Sequence, residues 1–508
     1  MLLTHADIEL FRELSGDRNP LHGSVEFARR TPFAEPIAHG MLGCVAAVDT
    51  LSGPGSGLVE LEAQFHRPLY PGVEYRVQDD SPSCARSPQG PRTVRLGVYD
   101  GGRRCLELAL RLGAAVVEEP RLDRPATRSA AADLGLAELA RGAQAHGEYG
   151  LSAADVAPAG RRWPTAYRLL GIQGLTAMTW CSFLSGMELP GRRGLLCRVA
   201  LRMRPGAAAA PRFSARVADT DPRFQMVTVE GRLDCGAAGF ADAEIEALVC
   251  EPVPAPRLAA LNADLPPSTR LRGRTAVVAG GSRGLGAALA LALAGQGCRV
   301  LVGHRRGGTG LAPLTAQLAG RSGELIPVVG DVARLEWAAE VRRRLAGFGG
   351  GLDYLILSAA PALGAVDFDA AQADRIGRYA ARALDLVGVP LSGLADALER
   401  ARGTCLLVSS AAVESLPAQW PHYVAAKSAA EGLLRWTAAN RPAIRCLVTR
   451  PGMVLTDQTN TPAGRVAAGP VEGVAAGICR GLLRTSAPGR DENRQPSPAS
   501  GTTDERGA

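Results

Sequence analysis

Between Thr275 and Ala294 the chain runs Thr-Ala-Val-Val-Ala, then Gly280-Gly-Ser-Arg-Gly-Leu-Gly286, then unbroken alanine and leucine. A short apolar run that stops at glycine reads as a buried strand, and the run after the glycines reads as a helix. Glycines at a strand-to-helix turn let the backbone approach a pyrophosphate, whose charge the helix N-terminus attracts. Gly280, Ser282, Arg283, Gly284, Leu285 and Gly286 are therefore candidate dinucleotide-binding residues. A second strand, Arg299 to Gly303, ends in His304-Arg305-Arg306. An acidic residue there would bind the ribose hydroxyl of NAD, whereas arginines favour the 2′-phosphate of NADP. Arg305, with Arg283, thus points to NADPH. Further apolar runs at Glu324–Val329, Leu352–Ser358, Cys405–Ser409 and Ala443–Thr449 extend a doubly wound parallel sheet, an α/β Rossmann arrangement.

A second constellation lies in the same half. Tyr423 and Lys427 stand four residues apart, one turn of a helix, and Ser410 follows the apolar run Cys405–Val408. A free tyrosine has a pKa of about 10, and a lysine cation one turn away should lower it. The trio suits proton transfer to or from an alcohol or carbonyl oxygen. Alone, a Y-x-x-x-K spacing is a weak signal. Together with AGGSRGLG (279–286), Asp331-Val332 and Arg450-Pro-Gly-Met-Val-Leu-Thr456, it resembles the short-chain dehydrogenase/reductase family over residues 272 to about 482. The resemblance implies Tyr423 as acid and Ser410 holding the substrate carbonyl. Lys427 would bind the nicotinamide ribose, Asp331 with Val332 would lie at the adenine, and Ser358, Pro451, Gly452 and Thr456 would lie along the cofactor. It also implies a homodimer formed through this half. The chain departs from the family at Ala279, where threonine is usual, and at Ser358-Ala-Ala360, which replaces Asn-Ala-Gly. Asp385 stands where an asparagine would complete a proton relay.

The N-terminal part is of another type. Residues 6–16 have helical spacing, Asp17-Arg-Asn-Pro-Leu-His22 is a loop by its Asn-Pro step, and a small-residue helix begins near Gly40. Runs at Leu58–Phe65, Glu74–Asp79, Thr93–Tyr99 and Cys105–Val117 read as strands, an α+β pattern. LSGDRNPLH (14–22), AEPIAHGML (34–42) and FHRPLYPG (65–72), in that order, resemble the MaoC-like or (R)-specific enoyl-CoA hydratase family, which has the hot-dog fold. By that resemblance Asp17 and His22 move the proton and the water of a hydration or dehydration, and Asn19 orients them. Independently, a carboxylate and an imidazole on one loop make an acid/base pair. The helix starting at Gly40 offers amides to a thioester oxyanion. His39 reads as a capping or packing residue.

Residues 119–150 read as a linker plus one amphipathic helix. A second α+β unit then repeats the first. Gly57 to Pro68 and Gly194 to Pro205 both span Gly to Pro at an offset of eleven with a similar strand pattern, and residues 171–186 mirror the first unit's helix. Arg212–Val217, Gln225–Leu233 and Glu244–Val249 supply further strands. The acid/base motif is missing, and the I-A-H-G-M position reads Gly171-Ile-Gln-Gly-Leu175. This unit reads as a degenerate second hot-dog that completes the sheet and walls the acyl pocket in cis.

The expected plan is thus a MaoC-like unit at 1–120, the degenerate copy at 121–252, a proline-rich linker at 253–271, the NADP-binding half at 272–485 and a disordered polar tail at 486–508. The net charge of +7 comes without a basic block interleaved with aromatics, so nucleic acid is not an expected partner. Eleven scattered cysteines without a C-x-x-C pair read as reduced thiols of a cytoplasmic protein. No apolar stretch is long enough to span a membrane, no signal segment is seen, and no metal-ligand pattern occurs. The leading expectation is NADPH-dependent reduction of a 3-oxoacyl thioester, on coenzyme A or an acyl carrier protein, followed by dehydration to the 2-enoyl thioester. The same chemistry run backwards in β-oxidation, or a non-catalytic acyl-binding scaffold, are the alternatives.

Overall fold

The computed structural model describes residues 1–33, 35–81, 92–113, 130–206, 212–235, 239–305 and 311–485. The tail at 486–508, Arg306 and the 119–129 part of the expected linker helix lie outside them. Helix α1 (His5–Ser15) starts in a capping box between Thr4 and Asp7, and α2 (Pro20–Gly23), α3 (Val25–Ala28) and α4 (Gly40–Val48) follow. Strands β1 (Gly57–Phe65), β2 (Arg76–Asp79), β3 (Arg92–Asp100) and β4 (Arg103–Gly113) complete the first unit. The second contains β5 (Gln144–Glu148), α5 (Ala153–Arg162) and α6 (Pro164–Phe183), which is broken at Gly171 and runs into a π-helical turn at Leu184–Glu188. Strands β6 (Gly194–Arg204), β7 (Arg212–Asp221), β8 (Met226–Asp234) and β9 (Phe240–Val249) follow.

All nine strands form one antiparallel sheet in the order β2-β3-β4-β1-β6-β9-β8-β7-β5. The two units meet where β1 pairs with β6, Leu61 opposite Leu201 and Ala63 opposite Val199. Counted from Gly57 and Gly194, paired positions always sum to eleven (4 + 7, 6 + 5), so exchanging the units reproduces the pairing. That is the signature of a pseudo-twofold contact. Along β9 every second residue from Ala241 to Val249 is buried, and α6, with Trp180 fully buried, lies across β1, β6 and β9. One continuous apolar core runs through both units. The helix expected within 119–150 is not found in its described part. There Gln144, His146 and Glu148 are exposed at alternate positions of β5, which pairs with β7. Edge pairing has overridden helix propensity.

After α7 (Leu258–Asp264) come β10 (Thr275–Ala279), α8 (Gly284–Gly295), β11 (Arg299–His304), α9 (Ala312–Ala316), β12 (Glu324–Val329), α10 (Leu335–Ala346), β13 (Tyr354–Leu357), α11 (Ala373–Ala401), β14 (Thr404–Val408), α12 (Ala412–Ser415), α13 (Pro421–Asn440), β15 (Arg445–Thr449), α14 (Pro462–Ala467) and α15 (Val471–Thr485). The six strands are parallel in the order β12-β11-β10-β13-β14-β15. Every residue of β10 is buried, as a central parallel strand requires, and separate cores cover the two faces of the sheet. The strand order reverses between β10 and β13, so the glycine turn after β10 and Ser358 after β13 open at the same crevice. Gly280 there has φ 85°, and a Cβ on it would come within 2.8 Å of the Ala359 Cα.

The two sheets are bridged by named contacts. Arg103 pairs with Asp367, Arg375 approaches Asp100 at 3.7 Å, and Asn460 donates to the Glu251 carbonyl at 2.9 Å. Among the described residues no helix is long and apolar enough to cross a membrane.

Candidate active sites

Asp17 follows α1 and is held from both units. Its Oδ1 accepts from the Asn19 amide at 3.1 Å and its Oδ2 from the Ser182 hydroxyl at 2.7 Å. The adjoining backbone is tied to the second unit as well. Tyr149 Oη donates to the Ser15 carbonyl at 3.0 Å, and the Arg18 amide meets Met187 Sδ at 3.1 Å. Asn19 itself is buried, and its Oδ1 accepts from the Leu21 amide at 3.0 Å. It therefore starts α2, with Pro20 at the first helical position, and so sets where His22 projects.

His22 Nδ1 lies 2.8 Å from the Ile37 carbonyl, which can only accept. The hydrogen is thus on Nδ1, and Nε2 of the neutral ring is an acceptor. His39 stacks on this ring at 3.7 Å, with Nε2 3.2 Å from the Asp17 carbonyl. Asp17, His22 and His39 each bring one polar atom within 4.8 Å of the others. His39 occupies the N-cap position of α4 without a side-chain capping bond, so it packs rather than caps. Burial raises the Asp17 pKa; His22, Ser182 and the Asn19 amide oppose it. Burial lowers the His22 pKa against the pull of Asp17, and holds His39 well below the ordinary histidine range. Gly40 starts α4, packed so closely on Phe65 that a Cβ would lie 2.7 Å from the ring.

The second unit supplies what its reading as a structural partner leaves out. Ser182 ends α6, and Gly186 sits in the π-helical turn with its backbone against the Asp17 carboxylate. A Cβ at Gly186 would lie 2.2 Å from Asp17 Oδ1. Two serines, Ser182 and Ser185, stand in this segment, but Thr176 and Thr179 lie there too, so the sequence does not single out Ser182.

In the parallel-sheet unit, Arg283 is the N-cap residue of α8, and a Cβ on Gly286 would meet the Gly280 carbonyl at 2.1 Å. Ser358 lies behind Gly286, Thr456 above Gly284, and Leu285 is buried in the core. Ala411 donates to the Pro451 carbonyl at 3.0 Å, whereas nothing crowds Gly452. Asp331 is pulled upward by partial burial, but the Ala333 amide and Arg382, 2.6 Å away, with Arg305 at 3.7 Å, hold it below the usual carboxylate range. Val332 is buried beside it in the core.

Ser410, Tyr423 and Lys427 come together. Burial raises the Tyr423 pKa, and its hydrogen bond to Ser410 draws it back. The lysine does not lower it as the spacing suggests. Nζ of Lys427 lies 5.7 Å from the Tyr423 ring centre and donates to the Val408 carbonyl at 2.8 Å. Burial lowers Lys427 itself to about 8, against the pull of Glu431. Tyr423 and Lys427 line a cavity of about 10 Å³, the size of one water, with Tyr379, Ala383 and Val387 of α11. Those three recur every four residues and so share a face. Asp385 is exposed and is not among the lining residues. The α11 polar group at this site is Tyr379, whose buried hydroxyl has no partner and whose ring packs edge-on to His422 at 4.4 Å.

The comparisons agree with this division. Residues 1–80 match the MaoC like domain family, and residues 274–463 match the short chain dehydrogenase family. A 3-hydroxybutyryl-CoA dehydratase of Methylorubrum extorquens is 40% identical over 82 residues, 15% of this chain and 52% of that protein. An (R)-specific enoyl-CoA hydratase of Rhodospirillum rubrum is 41% identical over 71 residues, 13% of this chain and 49% of that protein. The chain thus spans about half the length of these two relatives. An uncharacterized oxidoreductase of M. extorquens is 30% identical over 199 residues, 38% of this chain and 78% of that protein. The chain is a fusion, a MaoC-like domain with hydratase relatives joined to a domain that belongs to the short-chain dehydrogenases.

Proposed function

We propose that the chain is a bifunctional acyl-thioester enzyme. Residues 272–485 reduce a 3-oxoacyl thioester with NADPH, and a double hot-dog at 1–252 removes water to give the 2-enoyl thioester. The observation that carries the reading is the buried Asp17 carboxylate, gripped by Ser182 across the unit boundary, with a ring nitrogen of His22 within 4.8 Å. Elimination needs a base at C2, an acid at the leaving hydroxyl and a place for enolate charge. Burial biases both Asp17 and His22 toward their neutral forms, so neither is locked as an ion and a proton can pass through the pair. The first-turn amides of α4 after His39 are suited to the thioester oxygen.

The cofactor fits the second site on two grounds. A glycine turn opens at the strand-order reversal, and Arg283 and Arg305 stand beside it. Bound NADPH supplies a hydride to the carbonyl carbon. Tyr423 keeps its proton because burial raises its pKa, and donates it to the carbonyl oxygen that Ser410 steadies. Lys427 holds the cation beneath them.

The test is mass spectrometry of products from 3-oxoacyl thioesters on coenzyme A and on a carrier protein, with NADPH. The wild-type chain should yield the 2-enoyl thioester. Asp17→Asn and His22→Ala should each slow dehydration by about 10²–10⁴ and leave the 3-hydroxyacyl thioester to accumulate. Tyr423→Phe should abolish reduction yet still dehydrate a supplied 3-hydroxyacyl thioester. Normal enoyl product from a folded Asp17/His22 double variant would refute the assignment.

A further inference from the structure

We propose that Arg29, in the MaoC-like domain, forms part of the pocket for the adenosine 2′-phosphate of the cofactor carried by the dehydrogenase domain. This rests on the NADPH reading above. Arg29 follows α3, and its carbonyl accepts a hydrogen bond from Nη1 of Arg283, the N-cap residue of α8. The end of α3 therefore lies against the glycine turn of the other domain. Arg305, at the end of β11, feels Arg29, Arg283 and Arg382 as neighbouring like charges. The carboxylates that answer them are Asp331, at 3.7 Å from Arg305 and 2.6 Å from Arg382, and Asp457, at 2.8 Å from Arg283.

Four guanidinium groups thus face two carboxylates, leaving two positive charges (4 − 2). Among the described residues Arg29 has no carboxylate partner. Like charges held this close repel until an anion enters, and a phosphate monoester brings about two negative charges near neutral pH. Planar guanidinium forks match its oxygens. Arg283 caps α8 and touches the Arg29 backbone, and Arg305 senses both of them, so an anion that binds Arg283 and Arg305 would lie near Arg29. Arg30 is a built-in control, since it is one residue on, exposed, and 3.8 Å from Glu26.

The experiment is calorimetric titration of the full-length chain with adenosine 2′,5′-bisphosphate and with adenosine 5′-monophosphate. The wild type should prefer the bisphosphate. Arg29→Ala should weaken the bisphosphate roughly tenfold, the order of one charge-assisted contact, and leave the monophosphate unchanged. Arg30→Ala should change neither. Hydrogen exchange in the unaltered chain should slow at residues 24–30 with the bisphosphate and not with the monophosphate. If Arg305→Ala abolishes the preference while Arg29→Ala does not, Arg29 is excluded and the NADPH reading stands. Equal losses from Arg29→Ala and Arg30→Ala mean a diffuse field and overturn the proposal, as does unchanged exchange at 24–30. A wild type without preference removes the NADPH reading, and this proposal with it.

Discussion

At the scale of single residues, the electrostatics of the two sites predict different pH limbs. Ser182 donates to Asp17 and lowers its pKa, against the upward push of burial. Removing that donor must raise the Asp17 pKa further. Ser182→Ala is therefore expected to move the acid limb of the dehydration profile to higher pH and to cost about tenfold at neutral pH, with reduction unaffected. An unmoved limb in pH–rate profiles of kcat/KM would separate Ser182 from the chemistry. At the proposed reductase site burial favours the protonated form of Tyr423, so the lysine is expected to set the limb. Lys427 is charged below about 8 and neutral above it, and reduction should fall as pH rises through that value. A profile flat to pH 10 would exclude the lysine cation. Asp17 with His22, and Tyr423 with Lys427, were legible as pairs because each pair sits in a short local spacing, and Ser410 because it follows an apolar strand. Ser182 and Tyr379 were not. They reach their sites from across a sheet boundary or along a helix face, where chain distance carries no signal.

At the scale of elements, nearly every strand was readable from period and length, and β10 and β12 match their apolar runs to the residue. The miss at β5 is instructive. Alanine-rich, polar sequence has helical propensity, but an exposed edge beside β7 offers a row of backbone partners that outweighs it. A second feature without a sequence signature is the π-helical turn after α6. It brings backbone, not side chain, against a buried carboxylate, and only the lack of a Cβ at Gly186 allows this. Gly186→Ala is expected to displace Asp17, destabilise the first domain by about 1–3 kcal/mol and slow dehydration at least as much as Ser182→Ala. Thermal melts together with single-turnover dehydration check it. Wild-type values for both would mean that the turn has slack the geometry does not show.

At the scale of the whole molecule, the change of pattern from α+β to βαβ was readable, and the two family matches fall on either side of it. The joining of the first two units into one sheet was only partly so. The eleven-residue offset shared by Gly57–Pro68 and Gly194–Pro205 announced a repeat, but the β1–β6 pairing that welds the copies is a non-local contact. Their cores are continuous, so a fragment ending near residue 128 should expose β1 and the apolar face of α4, and should aggregate or dimerise without dehydratase activity. A fragment ending near residue 256 should fold and dehydrate. Light scattering and a dehydration assay on the two fragments decide this, and an active, monomeric short fragment would sink it. The asymmetry of the pair has a consequence for stoichiometry. Two identical copies around a twofold axis would hold two equivalent centres. Here Asp17 and His22 lie in one unit and Ser182 and Gly186 in the other, and in the alignment that sets His39 against Gln173, Val48 and Ser52 stand where the second unit has Ser182 and Gly186. The proposed dehydration centre draws on both units, so it occurs once per chain, and neither unit paired with a copy of itself would reproduce it.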